Sequence, residues 1–170
     1  MSMNRDNLFS FYRFVLLIFL QSFILSNLNL FGFINPNLYV LFFIIHKFNS
    51  DRTLLIFLGF LMGLLVDLLT LGSGGHTIST LTIAFLRPII IRTSFGLNYD
   101  VLININEGTL ASQRYIYVLT TIMIHHFVLY VVIFFNFESS LTILKNTLFS
   151  SFFTFIMIMI SLGLFKEQND

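Results

Sequence analysis

No cysteine occurs among the 170 residues, which excludes a disulfide framework, an iron–sulfur cluster and thiol catalysis. Charge is nearly as scarce: Asp, Glu, Lys and Arg make up 10% of the chain, against roughly 25% in an average soluble domain. There is too little polar surface to cover a water-facing exterior. Neither sign is in excess, and a formal net charge of +1 supplies no basic field for nucleic acid. Pro/Gly/Ser-rich linkers, low-complexity tails and convincing internal repeats are also missing, so one domain is expected. What fills the chain instead is apolar, with 56% hydrophobic residues, 23 Phe and a mean hydropathy of +0.89. This is the composition of an integral membrane protein.

Crossing the hydrocarbon takes about 20 mostly apolar residues in helical form. Six segments qualify: 9–26, 30–48, 54–71, 76–92, 115–135 and 141–165. The expected fold class is therefore all-α, a polytopic membrane helix bundle of about six transmembrane helices. The second segment is the weakest, because Asn35-Pro36 breaks it near its start. Counted from Pro36 it would rise only about 20 Å, short of the roughly 30 Å core. Pro36 suits the first turn of a helix, where its missing N–H costs nothing, and Leu30 to Ile34 then forms a separate apolar turn at the membrane surface. Five spans is the alternative.

Charge favours six. With the N-terminus inside, Arg5, Arg13, Lys47, Arg52, Arg87, Arg92, Arg114 and Lys166 fall at or near the cytoplasmic side, and only Lys145 falls outside. Both ends are then cytoplasmic. Tyr12, Tyr39, Tyr115 and Tyr117 lie near predicted interfaces. Ser26-Asn27-Leu28 is a poor small-residue cleavage site, so the first segment reads as retained. The largest polar stretch, 93–114, is expected to be a cytoplasmic loop, either a solvated connector or a docking surface.

Within the spans a few residues depart from the apolar background. Gly59 and Gly63 share one helix face and allow close backbone approach, within the chain more often than between copies. Asp67 continues that face. A carboxylate at that depth is either functional or holds the following turn, Leu71 to His76, which includes Gly75. His125 and His126 lie near the midplane of the fifth span. Adjacent rings point about 100° apart, so hydrogen-bonded histidines between helices are expected rather than a metal site, for which i, i+4 spacing is needed. Arg87 is expected to snorkel towards the cytoplasmic interface, with Pro88 kinking the helix beside it. Thr147, Ser150, Ser151, Thr154 and Ser161 form a stripe that reads as an inward helix face. No nucleophile–base pair, phosphate-binding glycine loop or metal cluster is visible, so neither catalysis nor a cofactor is expected.

Taken in order, Asn35-Pro36-Asn37, Gly59-x-x-x-Gly63-Leu64-x-x-Asp67 and the Gly-rich turn resemble the MreD family of bacterial rod shape-determining proteins. The likeness continues through Ala84-Phe85-Leu86-Arg87-Pro88, Asn98-Tyr99-Asp100, Glu107-Gly108-Thr109 and His125-His126, features similar to the Bacteroidetes-type branch. Leu110 departs from that branch, which has Pro there. The resemblance covers about Asn35 to Phe135. It implies a six-helix bundle like the membrane S-component of energy-coupling-factor transporters. It also implies a non-enzymatic scaffold of the inner membrane, serving peptidoglycan elongation. The implied main partner is the bitopic protein MreC, and through it MreB, RodA and the penicillin-binding transpeptidase. Gly59, Gly63 and Asp67 would then shape the region that meets MreC. A rival from another class is the substrate-binding component of a small-solute, vitamin-type transporter, which requires an enclosed polar pocket.

Overall fold

The computed structural model describes residues 5–47, 51–96, 105 and 109–166. Six α-helices follow one another: α1 (Arg5–Phe23), α2 (Leu41–Ile45), α3 (Arg52–Thr70), α4 (Gly75–Phe95), α5 (Ala111–Phe134) and α6 (Ser140–Lys166). Five helical segments, all but α2, are long and apolar enough to cross a membrane. Among the described residues there is no β-strand, only an isolated bridge between Leu30 and Ile34. The all-α bundle expected from composition is the one found. Half of the expected 93–114 loop, with Asn98, Asp100 and Glu107, lies outside the described residues, and its ends are helical: Thr93–Phe95 continue α4 and Ala111–Arg114 open α5.

The helix ends follow local chemistry. Asp51 Oδ1 accepts a hydrogen bond from Thr53 N at 2.9 Å and caps the start of α3. At the other end Leu71 takes a left-handed conformation, φ 53°, and stops the helix. Gly96, at φ 86°, closes α4, where a side chain would strain the backbone. Pro88 sits inside α4 without ending it.

The departure from a regular bundle is residues 30–47. Leu30 to Ile34 form the expected tight apolar turn, with Gly32 at φ 80° and Phe31 81% exposed. Beyond it, the chain does not make a single helix up to Phe48, which itself lies outside the described residues. It runs without regular structure through Asn35–Asn37, makes a 3-10 turn over Leu38–Val40, then the five-residue α2, and leaves in extended form at His46. Extended residues advance about 3.3 Å, 3-10 residues about 2 Å and α residues 1.5 Å, so Asn35–Lys47 reaches on the order of 30 Å. That is the thickness a helix of this length could not cover.

Contacts bear out the reach. Asn35 sits at the level of Tyr130 through their shared partner Ser150, while Phe43 lies against Tyr117. The rise along α5 between those tyrosines is about 20 Å. The segment therefore traverses the bundle, running parallel to α4 and antiparallel to α1, where Phe14 meets Phe42 and Gln21 meets Asn37. It is also the most enclosed part of the molecule: Ile34, Asn37, Tyr39, Val40, Leu41, Phe42, Phe43 and Ile44 are all buried. Irregular backbone at membrane depth is tolerated only when protein surrounds it.

Around this crossing the long helices alternate in direction. In α3 and α4, Gly59 faces Ala84 and Asp67 faces Thr77; in α4 and α5, Ser79 faces His125 and Arg87 faces Tyr117. In α5 and α6, Tyr130 meets Ser150 and His126 meets Thr154. As a result α1 begins and α6 ends at the same face of the bundle.

Candidate functional site

A crossing that is only partly helical leaves backbone groups without ladder partners, and in lipid each costs several kcal/mol (about 4–8 by transfer to hydrocarbon). Side chains from the surrounding helices supply the partners. Ser150 Oγ accepts from Asn35 N at 3.3 Å, and Thr154 Oγ1 accepts from Asn37 N at 3.0 Å. Gln21 uses both ends of its amide: Nε2 donates to Pro36 O at 3.2 Å and to Asn37 Oδ1 at 3.1 Å, and Oε1 accepts from Leu38 N at 3.0 Å. Pro36 itself has no N–H to satisfy.

At the far end of the crossing, Arg87 does the same for the carbonyls. Its guanidinium donates to Phe43 O at 2.9 Å, to Lys47 O at 3.2 Å and to His46 O, and contacts Tyr117 OH at 3.2 Å. The residue is 4% exposed. The expectation that Arg87 snorkels towards the interface is corrected in one respect: its fork reaches towards the Lys47 end of the segment but ends on protein, because the carbonyl of Phe43 in α2 and those of His46 and Lys47 just beyond it converge there. Tyr39 and Tyr117, placed near interfaces by sequence, are likewise buried and hydrogen-bonded within the core.

The two histidines of α5 divide between two networks. His126 Nδ1 donates to Ile122 O at 3.0 Å, which leaves Nε2 to accept from Asn37 Nδ2 at 3.2 Å and Thr154 Oγ1 at 3.3 Å. His125 Nε2 lies 2.7 Å from Tyr39 OH and 3.1 Å from Ser79 Oγ, and Tyr39 OH lies 2.7 Å from His76 Nδ1. Ser79 already donates to His76 O, at 3.0 Å. One proton order satisfies every contact: His125 Nε2–H donates to Tyr39 and Ser79, and Tyr39 donates to His76. The bare His125 Nδ1 is buried without a partner. Removing the central hydroxyl by Tyr39→Phe should cost about 1–2 kcal/mol, read as a lower midpoint in detergent-denaturation titrations.

Asp67 belongs to the turn. Its Oδ2 accepts from Thr77 Oγ1 at 2.6 Å and Thr77 N at 2.8 Å, and Oδ1 faces His76 N at 3.3 Å. Those are the free amides of the first turn of α4, whose own cap position is Gly74 and carries no side chain. A side chain at Gly72 would collide with Asp67 Oδ1. Asp67 therefore fastens the end of α3 to the start of α4. Asp67→Asn turns one acceptor into a donor facing donors, and a loss of about 1–3 kcal/mol is expected in the same unfolding measurement.

Gly59, Gly63 and Gly75 are close-packing positions inside the chain. A methyl at Gly63 would fall 2.5 Å from Thr77 Cα and 2.6 Å from His76 O, and one at Gly75 3.1 Å from Leu129 Cδ1. On α6, Thr147, Ser150, Ser151 and Thr154 are buried as the stripe foretold, whereas Ser161 bonds back to Met157 O. Sequence reading singled out Pro36, Asp67, His76, Arg87, His125 and His126, and the structure joins all of them to the central crossing or the α3–α4 turn. It passed over Gln21, Tyr39 as a core residue, Thr77, Ser79 and Tyr117. A polar residue in the middle of an apolar run was the available signal.

At the end of the bundle where α1 and α3 stop, a cleft of about 480 Å³ opens beside this network. Gln21, Asn37, His76 and Tyr130 border it on the core side, and Ser22, Asn27, Asn35 and Thr70 line the rest with Leu69, Leu71, Leu129 and Ile133. Among the described residues no three His, Asp or Glu side chains converge as a metal site.

The fold and this interior define a polytopic helical membrane protein whose polar residues hold a discontinuous crossing in place. Comparison with protein-family models, curated proteins and solved structures finds no match to the chain.

Proposed function

We propose that this chain is a non-enzymatic scaffold subunit of the bacterial cell-wall elongation machinery, of the MreD type, controlling cell shape through association with MreC. The observation that supports this reading is the use made of the buried polar groups. Gln21, Asp67, Arg87 and His126 are occupied by hydrogen bonds that hold the chain's own backbone and turns. What they leave for a partner is shape: long apolar faces on α1, with Phe11 and Phe19, and on α6, with Leu148 and Phe152, all exposed.

The inward packing of Gly59, Gly63 and Asp67 moves the proposed MreC contact away from α3, onto one of these outer faces. A single transmembrane helix lies against such a face through van der Waals packing. MreB, RodA and its transpeptidase are then reached through MreC. The face where α1 begins and α6 ends also holds Arg52, Arg92 and Arg114, a positive charge excess that supports reading it as the cytoplasmic face of a bacterial inner membrane.

Depletion in the native host, with affinity capture alongside, tests the reading. Rounded cells and MreC in the eluate are expected; normal shape with no MreC would overturn it. A photo-crosslinking residue at Phe19 or Phe152 should capture MreC where the same probe at buried Met62 does not. A second reading, the substrate-binding component of a vitamin-type transporter, draws on the cleft. Flanking mreC and transpeptidase genes favour the first, and flanking ATPase subunits the second.

A further inference from the structure

We infer that the cleft beside Gln21 and His76 is a binding site for a neutral, hydroxyl-rich molecule, a sugar or polyol, free or as the headgroup of a lipid. The inference stands on the cleft alone and does not depend on the scaffold reading. A volume of about 480 Å³ lies within the range of small-molecule sites, roughly 300–1,000 Å³. Two polar atoms of its lining residues, Ser22 Oγ and Asn35 Oδ1, are buried with no hydrogen-bond partner. Buried polar groups in folded proteins are almost always satisfied, and a ligand in the cleft would complete both atoms once the Ser22 and Asn35 side chains turn towards it, since neither has appreciable accessible surface as it stands.

The remaining groups fix the chemistry. Ser26 Oγ donates to Gln21 O at 2.8 Å, Thr70 Oγ1 to Val66 O at 2.7 Å and Asn27 Nδ2 to Phe23 O at 3.0 Å. The Ser26 and Thr70 protons are committed, so these hydroxyls turn lone pairs to a ligand, whereas Asn27 Nδ2 keeps a second N–H and His76, accepting from Tyr39 through Nδ1, carries its own N–H on Nε2. Asn35 Oδ1 adds another acceptor. The carbonyl ends of α1 and α3 stop at the same cleft. A wall that offers both lone pairs and N–H or O–H groups calls for a ligand that donates and accepts hydrogen bonds.

A cation would donate too, but no charged side chain lines the cleft, and the neighbouring Asp67 carboxylate is already held by Thr77 and His76. An ammonium group would enter without a counter-charge, which is costly so close to the apolar core. Hydroxyl groups carry the donors without the charge. Leu69, Leu129 and Ile133 give the C–H face of a sugar ring an apolar surface.

The experiment uses the purified chain in a detergent that carries no sugar, titrated calorimetrically with maltose, and the chain in nanodiscs with glucosyl diacylglycerol, followed by native mass spectrometry. Ethanolamine serves as the cationic probe. Saturable binding of maltose supports a free ligand, and binding of the glycolipid alone supports a lipid headgroup. In either case Ser22→Leu and Asn35→Leu should weaken binding about tenfold or more, the scale of one lost hydrogen bond. Ser22→Ala removes the hydroxyl without adding bulk and should weaken binding in the same direction with an unchanged melting curve. No binding of either glycoside, binding of ethanolamine in their place, or unchanged affinity in Ser22→Ala and Asn35→Leu would overturn the inference.

Discussion

Replacing Arg87 by Met should release the inner half of the central crossing and lower stability by at least about 3 kcal/mol. The side chain supplies charge-assisted hydrogen bonds to Phe43 O, His46 O and Lys47 O, each worth about 1.5–3 kcal/mol. Methionine fills similar volume and offers no donor. The buried carbonyl of Phe43 then loses its charged donor, or the segment moves. Arg87→Lys should recover only part of the loss, because a compact ammonium cannot fork across carbonyls from three residues. The check is an unfolding titration of both variants beside the parent. Equal midpoints for Arg87→Met and the parent would show that the guanidinium is dispensable to the crossing.

The second large effect is expected at Gly63. A leucine there must displace backbone, Thr77 Cα and His76 O, as well as the Thr80 hydroxyl, so α3 and α4 have to part. Overpacking alone costs roughly 1–3 kcal/mol, and parting these helices also breaks the Asp67 cap on α4. A total at or above the upper end of that range is expected. Gly163 is the internal control, since nothing lies within 4 Å of a side chain added there. Gly163→Ala should be neutral or raise stability by up to about 1 kcal/mol through helix propensity. Loss of MreC capture in Gly63→Leu would therefore report on the fold rather than on an interface residue.

Hydropathy made the long helices legible, because lipid demands about 20 apolar residues whatever their identity. The glycine face of α3 was legible too, from spacing alone. The weakness of the 30–48 segment showed in Asn35-Pro36. Its actual form did not, because its partners lie far along the chain: Gln21 on α1, Arg87 on α4, Tyr117 on α5, Ser150 and Thr154 on α6. Local periodicity carries no information about such pairings. Arg87 was misplaced for the same reason. A cation near the end of an apolar run fits a snorkelling position until the α2 carbonyls are known to face it. Sequence leaves Asp67 either functional or holding the following turn, and its contact with Thr77, ten residues on, shows that it holds the turn.

The count of crossings rests on the same segment, and it explains the charge pattern in physical terms. Five long helices alone would leave α1 starting and α6 ending on opposite faces. The buried Asn35–Lys47 traverse makes the number even and returns α6 to the face where α1 begins, the face that also carries Lys47, Arg52, Arg92 and Arg114.

Cysteine labelling tests that crossing most directly, since the native chain has no cysteine to interfere. Single substitutions at exposed positions, Phe31→Cys, Thr53→Cys, Leu71→Cys, Leu110→Cys and Phe135→Cys, are treated in intact cells with a membrane-impermeant maleimide and again after lysis. Labelling of positions 31, 71 and 135 in intact cells, with 53 and 110 reached only after lysis, is the predicted result. Labelling of positions 31 and 53 from the same side would contradict the crossing, and with it the placement of both ends on one face.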